Sequence, residues 1–372
     1  MLNYEYPPLG GGASPITAAL SGYLVAAGHE VDVVTMGFRG LPPYEEHGGL
    51  RIFRVPAWRR SQVVCSTPEM FTYLPAACWR ALQLDRQAPY DLIHAHFIIP
   101  TSPVGVALRA LRHRPLVVSL HGSDVPGYNP DRFTLGHHVL SPAWRWLTRQ
   151  ADAIVSPSAY LGDLLRSQSD VPVTVIPHGF DPPPVSHVDR QRRLLLVSRL
   201  FPRKGVQYFL EAVAGLPRNG WEIIVAGDGP SRAELESQAA RLGVEVRFAG
   251  FVQGQELQDL YAGGTIFVFP SLRESFGVVL LEAMNAGCAV IASAISGIPE
   301  VVGDAGVLVP PANVPALREA LSTLMSNEAA VAGYQAKAQE RATLFRWPAI
   351  IRQYETLYDQ VLRRSRNRGE PR

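Results

Sequence analysis

The chain has 372 residues, is 47% hydrophobic and carries a formal net charge of +2. That length and apolar content suffice for two cores of ordinary domain size, and the near-even charge balance excludes the broad basic face of a nucleic-acid binder. No apolar run is long enough to span a bilayer: the longest, 278–298, contains Glu282 and Asn285 and reads as helix, turn and strand.

From the N-terminus, Met1-Leu2-Asn3-Tyr4 offers a very short first strand, or the end of one that began earlier. It leads into Pro7-Pro8-Leu9-Gly10-Gly11-Gly12, ahead of a helical pattern at 16–27. Glycines before a helix let backbone amides approach a phosphate or a sugar, although this run lacks the GxGxxG spacing of a dinucleotide fold. Strand patterns follow at 31–35, 51–55, 91–95, 116–120, 153–155 and 174–176, separated by helical patterns at 69–84, 102–112, 139–150 and 159–167. His94 and His96 alternate along their strand and so share a face. No third metal ligand accompanies them, and a structural or pocket-lining role suits them better. His121-Gly122-Ser123-Asp124 follows the strand at 116–120, where a histidine can reach a ligand as a donor or as a general base. Trp58-Arg59-Arg60 and Trp144-Arg145-Trp146 combine the residue types of a membrane interface, though helix packing accounts better for the second group. Cys65, Cys78 and Cys288 lack metal spacing and fit reduced thiols. With no secretory leader pattern, they point to a cytoplasmic protein.

Asp181-Pro182-Pro183-Pro184 reads as a stiff link to a second series. There, strands are expected at 194–197, 222–226, 245–248, 265–269, 289–292 and 306–309, and helices at 206–215, 231–242, 255–262, 278–286 and 314–325. Two such alternating series predict an α/β protein of two doubly wound domains with parallel sheets. An amphipathic helix closes the chain at 347–362, with Ile351, Tyr354, Leu357, Tyr358 and Val361 at helical spacing, before the basic tail Arg363-Arg364-Ser365-Arg366-Asn367-Arg368.

Ligands of open α/β sheets bind beyond the carboxyl ends of the strands, so the strand-to-helix loops of the second series carry the chemistry. Ser198-Arg199-Leu200-Phe201-Pro202-Arg203-Lys204-Gly205 places Arg199 and Lys204 after one strand, and Lys204 is one of only two lysines among 35 basic residues. Two fixed cations there can neutralise a diphosphate and stabilise it further as charge builds on a departing phosphate. Gly227-Asp228-Gly229-Pro230 reads as turn chemistry. After Pro270, Glu274 stands just before a helix start and Glu282 about two turns into that helix. The unpaired first amides of a helix attract an anion. A carboxylate on either side suits a ligand with a central diphosphate and a hydroxyl-rich sugar at each end, the shape of a nucleotide sugar. No Asp-x-Asp occurs to clamp a metal.

Six features in order — the N-terminal glycine loop, His121-Gly122-Ser123-Asp124, Ile176-Pro177-His178-Gly179, Arg199 with Lys204, Ala226-Gly227-Asp228-Gly229-Pro230, and Glu274 with Glu282, seven residues between them — carry a family resemblance over almost the whole chain. The chain resembles the retaining, nucleotide-sugar-dependent glycosyltransferases of family 4. The resemblance implies the GT-B fold, two facing Rossmann-like domains with an interdomain cleft. It implies an acceptor-binding domain at 1–182, a donor-binding domain at 183–346, and a segment at 347–372 that crosses back to the N-terminal domain. It also implies roles. Arg199 and Lys204 hold the donor diphosphate, helped by the amides around Phe276, Gly277 and Val278. Glu282 binds the ribose and Glu274 the transferred sugar. Gly11 and Gly12 close over the diphosphate, His121 faces the sugar, and Phe251 and Val252 line the base pocket. On this reading a hexose passes from a UDP- or GDP-sugar to an unidentified acceptor, lipid-linked or a cell-envelope glycan precursor. The configuration is retained, and no metal or cofactor is needed beyond the nucleotide-sugar co-substrate. A peripheral contact with the inner face of a membrane remains open. Asn313 stands where relatives often carry an acidic residue. Two other readings are an inactive nucleotide-sugar-binding subunit and a GT-B nucleotide-sugar epimerase.

Overall fold

The structure, a computed structural model of the chain, describes residues 1–62, 64–129, 134–182 and 188–367, with the backbone alone for 134–140. Pro183 and Pro184 of the expected linker and Arg368 of the basic tail lie outside the described residues. The chain divides into two compact units, Met1–Gly179 with the segment from Trp347 onward, and Phe180–Arg346.

The first unit runs α1 (Ala13–Ala26), β1 (Val31–Met36), β2 (Tyr44–His47), β3 (Leu50–Val55), α2 (Thr67–Gln87), β4 (Ile93–His96), α3 (Ser102–Arg112), β5 (Leu116–Ser119), α4 (Thr134–Gln150), β6 (Ala153–Ser156), α5 (Ala159–Arg166) and β7 (Val173–Val175). β1 pairs in parallel with β3, and β4, β5, β6 and β7 pair in parallel in that order. The two sets meet at one residue: Leu2 bridges Val34 of β1 on one side and Ala95 of β4 on the other. Its amide donates to the His94 carbonyl and its carbonyl accepts from the His96 amide. The expected short first strand is therefore a single bridging residue at the centre of the sheet, 2% exposed. β2 was not anticipated. Its sequence, Tyr44-Glu45-Glu46-His47, is polar and mostly exposed, and it pairs antiparallel to β3 as an edge, where charge discourages further pairing.

The second unit runs β8 (Arg193–Val197), α6 (Val206–Val213), β9 (Glu222–Ala226), α7 (Arg232–Arg241), β10 (Arg247–Gly250), α8 (Gly254–Gly263), β11 (Ile266–Phe269), α9 (Val278–Asn285), β12 (Ala289–Ser293), α10 (Ile298–Val302), β13 (Gly306–Val309), α11 (Val314–Ser326) and α12 (Glu328–Ala342). Its six strands form one parallel sheet in the order β10-β9-β8-β11-β12-β13. Alternate residues of the central strands feed two cores. Leu195, Val197, Phe267, Phe269, Val290 and Ala292 face one, and Leu194, Leu196, Ile266, Val268, Ala289 and Ile291 face the other. Burial on both faces explains why these strands read as continuous apolar runs. Asn313 caps α11, its side chain accepting from the Ala316 amide at 3.0 Å, and any residue able to accept there serves the same purpose.

The chain closes with α13 (Trp347–Asn367), which belongs to the first unit. Trp347 stacks on Tyr23 of α1 with ring centroids 5.5 Å apart, and the Tyr358 hydroxyl lies 2.7 Å from His94 Nδ1.

Candidate active site

The sheet of the second unit has the strand order 3-2-1-4-5-6, which reverses direction between β8 and β11. Crevices at such a reversal, beyond the carboxyl ends of the strands, are where doubly wound sheets bind ligands. The loops that leave β8 and β11 are the two that carry Lys204 and Glu274.

Local chemistry brings these loops together. After β8, Pro202–Lys204 forms one 3-10 turn and ends at Gly205 with φ 71°. A Cβ on Gly205 would stand 1.9 Å from the Pro270 carbonyl oxygen, so only glycine lets the first loop touch the end of β11. The Leu272 amide then donates to the Arg203 carbonyl at 2.8 Å, and the Gly297 amide to the Glu274 carbonyl at 3.1 Å. Thus anchored, Glu274 meets Lys204: Nζ lies 2.5 Å from Oε2, with the two side chains 15% and 18% exposed. Lys204 Nζ also sits 5.5 Å from the centre of the Phe269 ring. Arg199 is exposed, its guanidinium 5.0 Å from the Phe201 ring centre, with Arg203 5.2 Å from the same ring.

Gly277, at φ 93°, caps the start of α9. Phe276 is buried edge-on against Phe345, so this stretch presents backbone rather than an aromatic side chain. Glu282 is the fifth residue of α9, little more than one turn in, where the sequence reading put it about two turns deep. It is half-buried, and its Oε2 accepts from the Tyr261 hydroxyl at 2.8 Å. Burial raises its pKa, and the tyrosine hydrogen bond draws it part of the way back. Tyr261, wholly buried on α8, had no signal in the sequence. Val252 is core, whereas Phe251 beside it is 72% exposed. A groove of about 450 Å³ between β13, α11 and α12 contains none of these residues.

The remaining site residues, Gly11, Gly12 and His121, belong to the first unit. The glycine loop curls round the carboxylate of Glu5. Oε2 accepts from the Gly11 amide at 3.1 Å, and Oε1 pairs with the buried Arg59 at 3.1 Å. The Gly11 amide therefore has an internal partner. His121 lies in a row of four imidazoles. His94 stacks on His96 with centroids 4.6 Å apart, His96 on His121 at 5.3 Å, and His121 on His178 at 5.7 Å. Burial pulls His94 down to about 3 and His178 to about 4, and takes His96 and His121 well below the ordinary 6.5. Asp124, the last residue of the His121 motif, holds the loops in place. Its Oδ1 accepts from the His121 and Gly122 amides at 3.1 and 3.0 Å, and its Oδ2 from the Ile98 amide at 3.1 Å. Among the described residues, no three His, Cys, Asp or Glu side chains converge as metal ligands.

Residues 10–183 match the family model described as Glycosyltransferase Family 4, and residues 191–327 the model described as Glycosyl transferases group 1. An uncharacterized glycosyltransferase of Methanocaldococcus jannaschii is 30% identical over 331 residues, covering 81% of this chain and 82% of that protein. This chain belongs to the group 1, family 4 glycosyltransferases. A glycogen synthase of Mycobacterium tuberculosis is 28% identical, covering 100% of this chain and 96% of the relative. Among solved structures, the sucrose-phosphate synthase of Thermosynechococcus elongatus superposes with a TM-score of 0.78 at 27% identity, covering 94% of each chain. Anabaena HepE, solved in complex with UDP and glucose, superposes with a TM-score of 0.74 at 22% identity, covering 96% of this chain and 98% of that one. The glycosyltransferase described here thus has the GT-B fold of two Rossmann-like units. No helix among the described residues is long and apolar enough to cross a membrane.

Proposed function

We propose that this glycosyltransferase moves a hexose from a UDP- or GDP-sugar to an acceptor hydroxyl with retention of configuration, and that its own side chains and amides, not a metal, stabilise the departing diphosphate. The observation that carries the reading is the meeting of the β8 and β11 loops at the strand-order reversal, which sets Lys204 and Glu274 in contact ahead of the N-terminus of α9. Lys204 and Arg199 act on the diphosphate, Glu282 on the ribose hydroxyls, Glu274 on the transferred sugar, and Phe251 at the base with the buried Val252 behind it. A cation that faces growing negative charge lowers the barrier more than it tightens ground-state binding. In the first unit, the family resemblance assigns Gly12 to the donor and His121 to the sugar hydroxyls.

A thermal-shift panel of UDP, GDP and their sugars tests the donor, because a ligand that binds only the folded state raises Tm. A nucleotide-sugar response with the α-anomer of donor and product, followed by NMR, fits the proposal; an inverted product defeats retention. Transfer restored only by added divalent ions after EDTA would defeat the metal-free part.

For the acceptor we propose a lipid-linked or envelope-glycan precursor reached at an anionic membrane surface. Trp79 on α2 is 66% exposed and Phe71 and Trp58 are exposed near its start, with Arg60 4.5 Å from the Trp58 ring centre. The two acids of α2, Glu69 and Asp85, are buried and bonded within the fold, so they do not oppose an anionic surface. Trp144 of the other aromatic group is buried, its indole donating to the Asp124 carbonyl, while Trp146 is exposed. Co-sedimentation with anionic but not zwitterionic vesicles, lost in Trp79→Ser, is the expected result.

A further inference from the structure

The row of imidazoles contains an atom that the fold leaves without a partner. His96 is 1% exposed, and its Nδ1 lies 3.0 Å from Nε2 of His121, yet its own Nε2 is buried with no hydrogen-bond partner. Few polar atoms in the described residues are in that position, and this one sits directly behind the histidine of the site.

The contact between the two rings requires a single proton, because burial keeps both imidazoles neutral. Two arrangements exist. If His121 donates from Nε2, then His96 must accept at Nδ1 and carry its own proton at Nε2, where a buried N–H would have nothing to bond. If His96 donates from Nδ1, its Nε2 is a bare lone pair, and His121 carries its proton at Nδ1. A buried N–H without an acceptor is the rarer and costlier orphan. In a neutral histidine, the bond made by one ring nitrogen decides what the other offers.

The ring has little freedom to escape this choice. The Asp124 carboxylate ties down the His121 amide, and the ring is stacked between His96 and His178. Phe97, forced to φ 76° immediately after β4, closes on the same ring at 4.6 Å. His121 is only partly exposed, and its Nδ1 makes no hydrogen bond among the described residues.

We infer that His96 is a positioning residue that locks His121 as the Nδ1–H tautomer, so that His121 gives a hydrogen bond to a hydroxyl of the transferred sugar and does not act as a general base. The inference rests on the placement of His121 at the sugar made under Proposed function. It removes the alternative that the motif alone left open, donor or base.

Two measurements on the full-length protein test it. Long-range ¹H–¹⁵N NMR of histidine-labelled protein reads the tautomer directly: His121 is expected to be protonated at Nδ1 and bare at Nε2. A proton at Nε2 of His121 overturns the inference whatever the activity. The second measurement compares His96→Asn, whose side-chain amide can donate from the place of Nδ1, with His96→Leu, which cannot donate. His96→Leu is expected to lower kcat about 10-fold or more, as other loosened or mis-set tautomers do, with the Kd for free nucleoside diphosphate unchanged. His96→Asn should recover most of that loss. Equal kcat in the two variants overturns the positioning role. Wild-type transfer by His121→Ala would defeat the placement of His121 at the sugar, and the donor role with it, while the NMR result would still report the tautomer.

Discussion

Both units are doubly wound sheets with their proposed chemistry at the reversal of strand order, yet they equip that position in opposite ways. In the second unit, β8 and β11 meet there and the loops beyond them are charged and half-exposed, with Lys204 and Glu274 neutralising each other at 2.5 Å. In the first, Leu2 and β4 meet there, and the groups nearby are neutral: a glycine loop already folded round Glu5, and four imidazoles held uncharged by burial. One half can exchange an internal charge contact for a ligand's charge; the other offers fixed dipoles. A transferase that must stabilise a leaving diphosphate on one side and orient a neutral sugar on the other has a use for each.

The sharpest way to break this contrast is Lys204→Ala. If the charged half acts on the departing phosphate, kcat falls by about 10²–10³-fold, the usual cost of losing one donor to a developing anion, while the Tm stays near wild type. The variant also leaves Glu274 without its cation, which adds repulsion toward the diphosphate. Glu274→Gln in the same background should recover part of the nucleotide affinity, though not kcat. Unchanged turnover in Lys204→Ala would remove the diphosphate assignment.

Next in size is Glu282→Ala. A hydrogen bond to a charged group is worth about 1.5–3 kcal/mol, so binding of the free nucleoside diphosphate should weaken about 10- to 100-fold. Isothermal titration with UDP or GDP alone makes the measurement. If only the sugar-bearing form binds more weakly, the roles given to the two glutamates are exchanged. Tyr261→Phe should move binding in the same direction by less, because it removes the hydroxyl that orients Glu282 and leaves the carboxylate.

The charged half was the more legible in sequence, for a physical reason. Its strands are buried on both faces and so stand out as apolar runs, and its ligand-facing residues cluster in short loops directly after them. What could not be read is contact across the chain. Nothing in the order of residues places Glu274 on Lys204, since the pairing depends on Gly205 fitting under the Pro270 carbonyl. Nor does it place Tyr261 under Glu282. Elements without a strong apolar pattern were lost as well: α10 is only five residues long, α12 is alanine-rich, and β2 is polar. β10 was placed two residues early, at an edge where its register shifts between Phe248 and Gly250. In the neutral half, the histidines were visible as residues but not as a stack, because His96, His121 and His178 come from three separate strand ends.

The imidazole stack makes its own prediction, in stability rather than turnover. In the unfolded chain these histidines titrate near 6.5, whereas in the fold His178 holds off protonation to about 4 and His94 to about 3. Below 6.5 the unfolded state therefore binds more protons, and stability rises with pH in that range. The contribution is complete above pH 6.5 and is lost as pH falls toward 4 and below. Asp124 and Glu282, whose carboxyls burial raises, act with the opposite sign and blunt the fall. Tm followed from pH 7 to pH 4 should drop steadily, with a shallower slope in His178→Asn. A flat profile would mean that the stack is solvated, and the neutral half would lose its defining property.

The smallest expected effect separates the glycines that the fold needs from the one left for a ligand. Gly10 has φ 98°, and a Cβ there would stand 2.5 Å from the Glu5 carboxyl carbon, so Gly10→Ala should cost stability by about 1–2 kcal/mol or more through the left-handed backbone alone. Gly12 has φ −61°, and a Cβ there would meet nothing within 4 Å. Alanine fits the fold at Gly12, and by restricting the unfolded chain it should leave stability unchanged or raise it by less than about 1 kcal/mol. An empty space that the fold does not require is what a loop closing on a donor would keep. Gly12→Ala is therefore expected to lower transfer while sparing Tm, the reverse of Gly10→Ala. If Gly12→Ala transfers at the wild-type rate, the glycine loop takes no part in gripping the donor, and the neutral half acts through His121 alone.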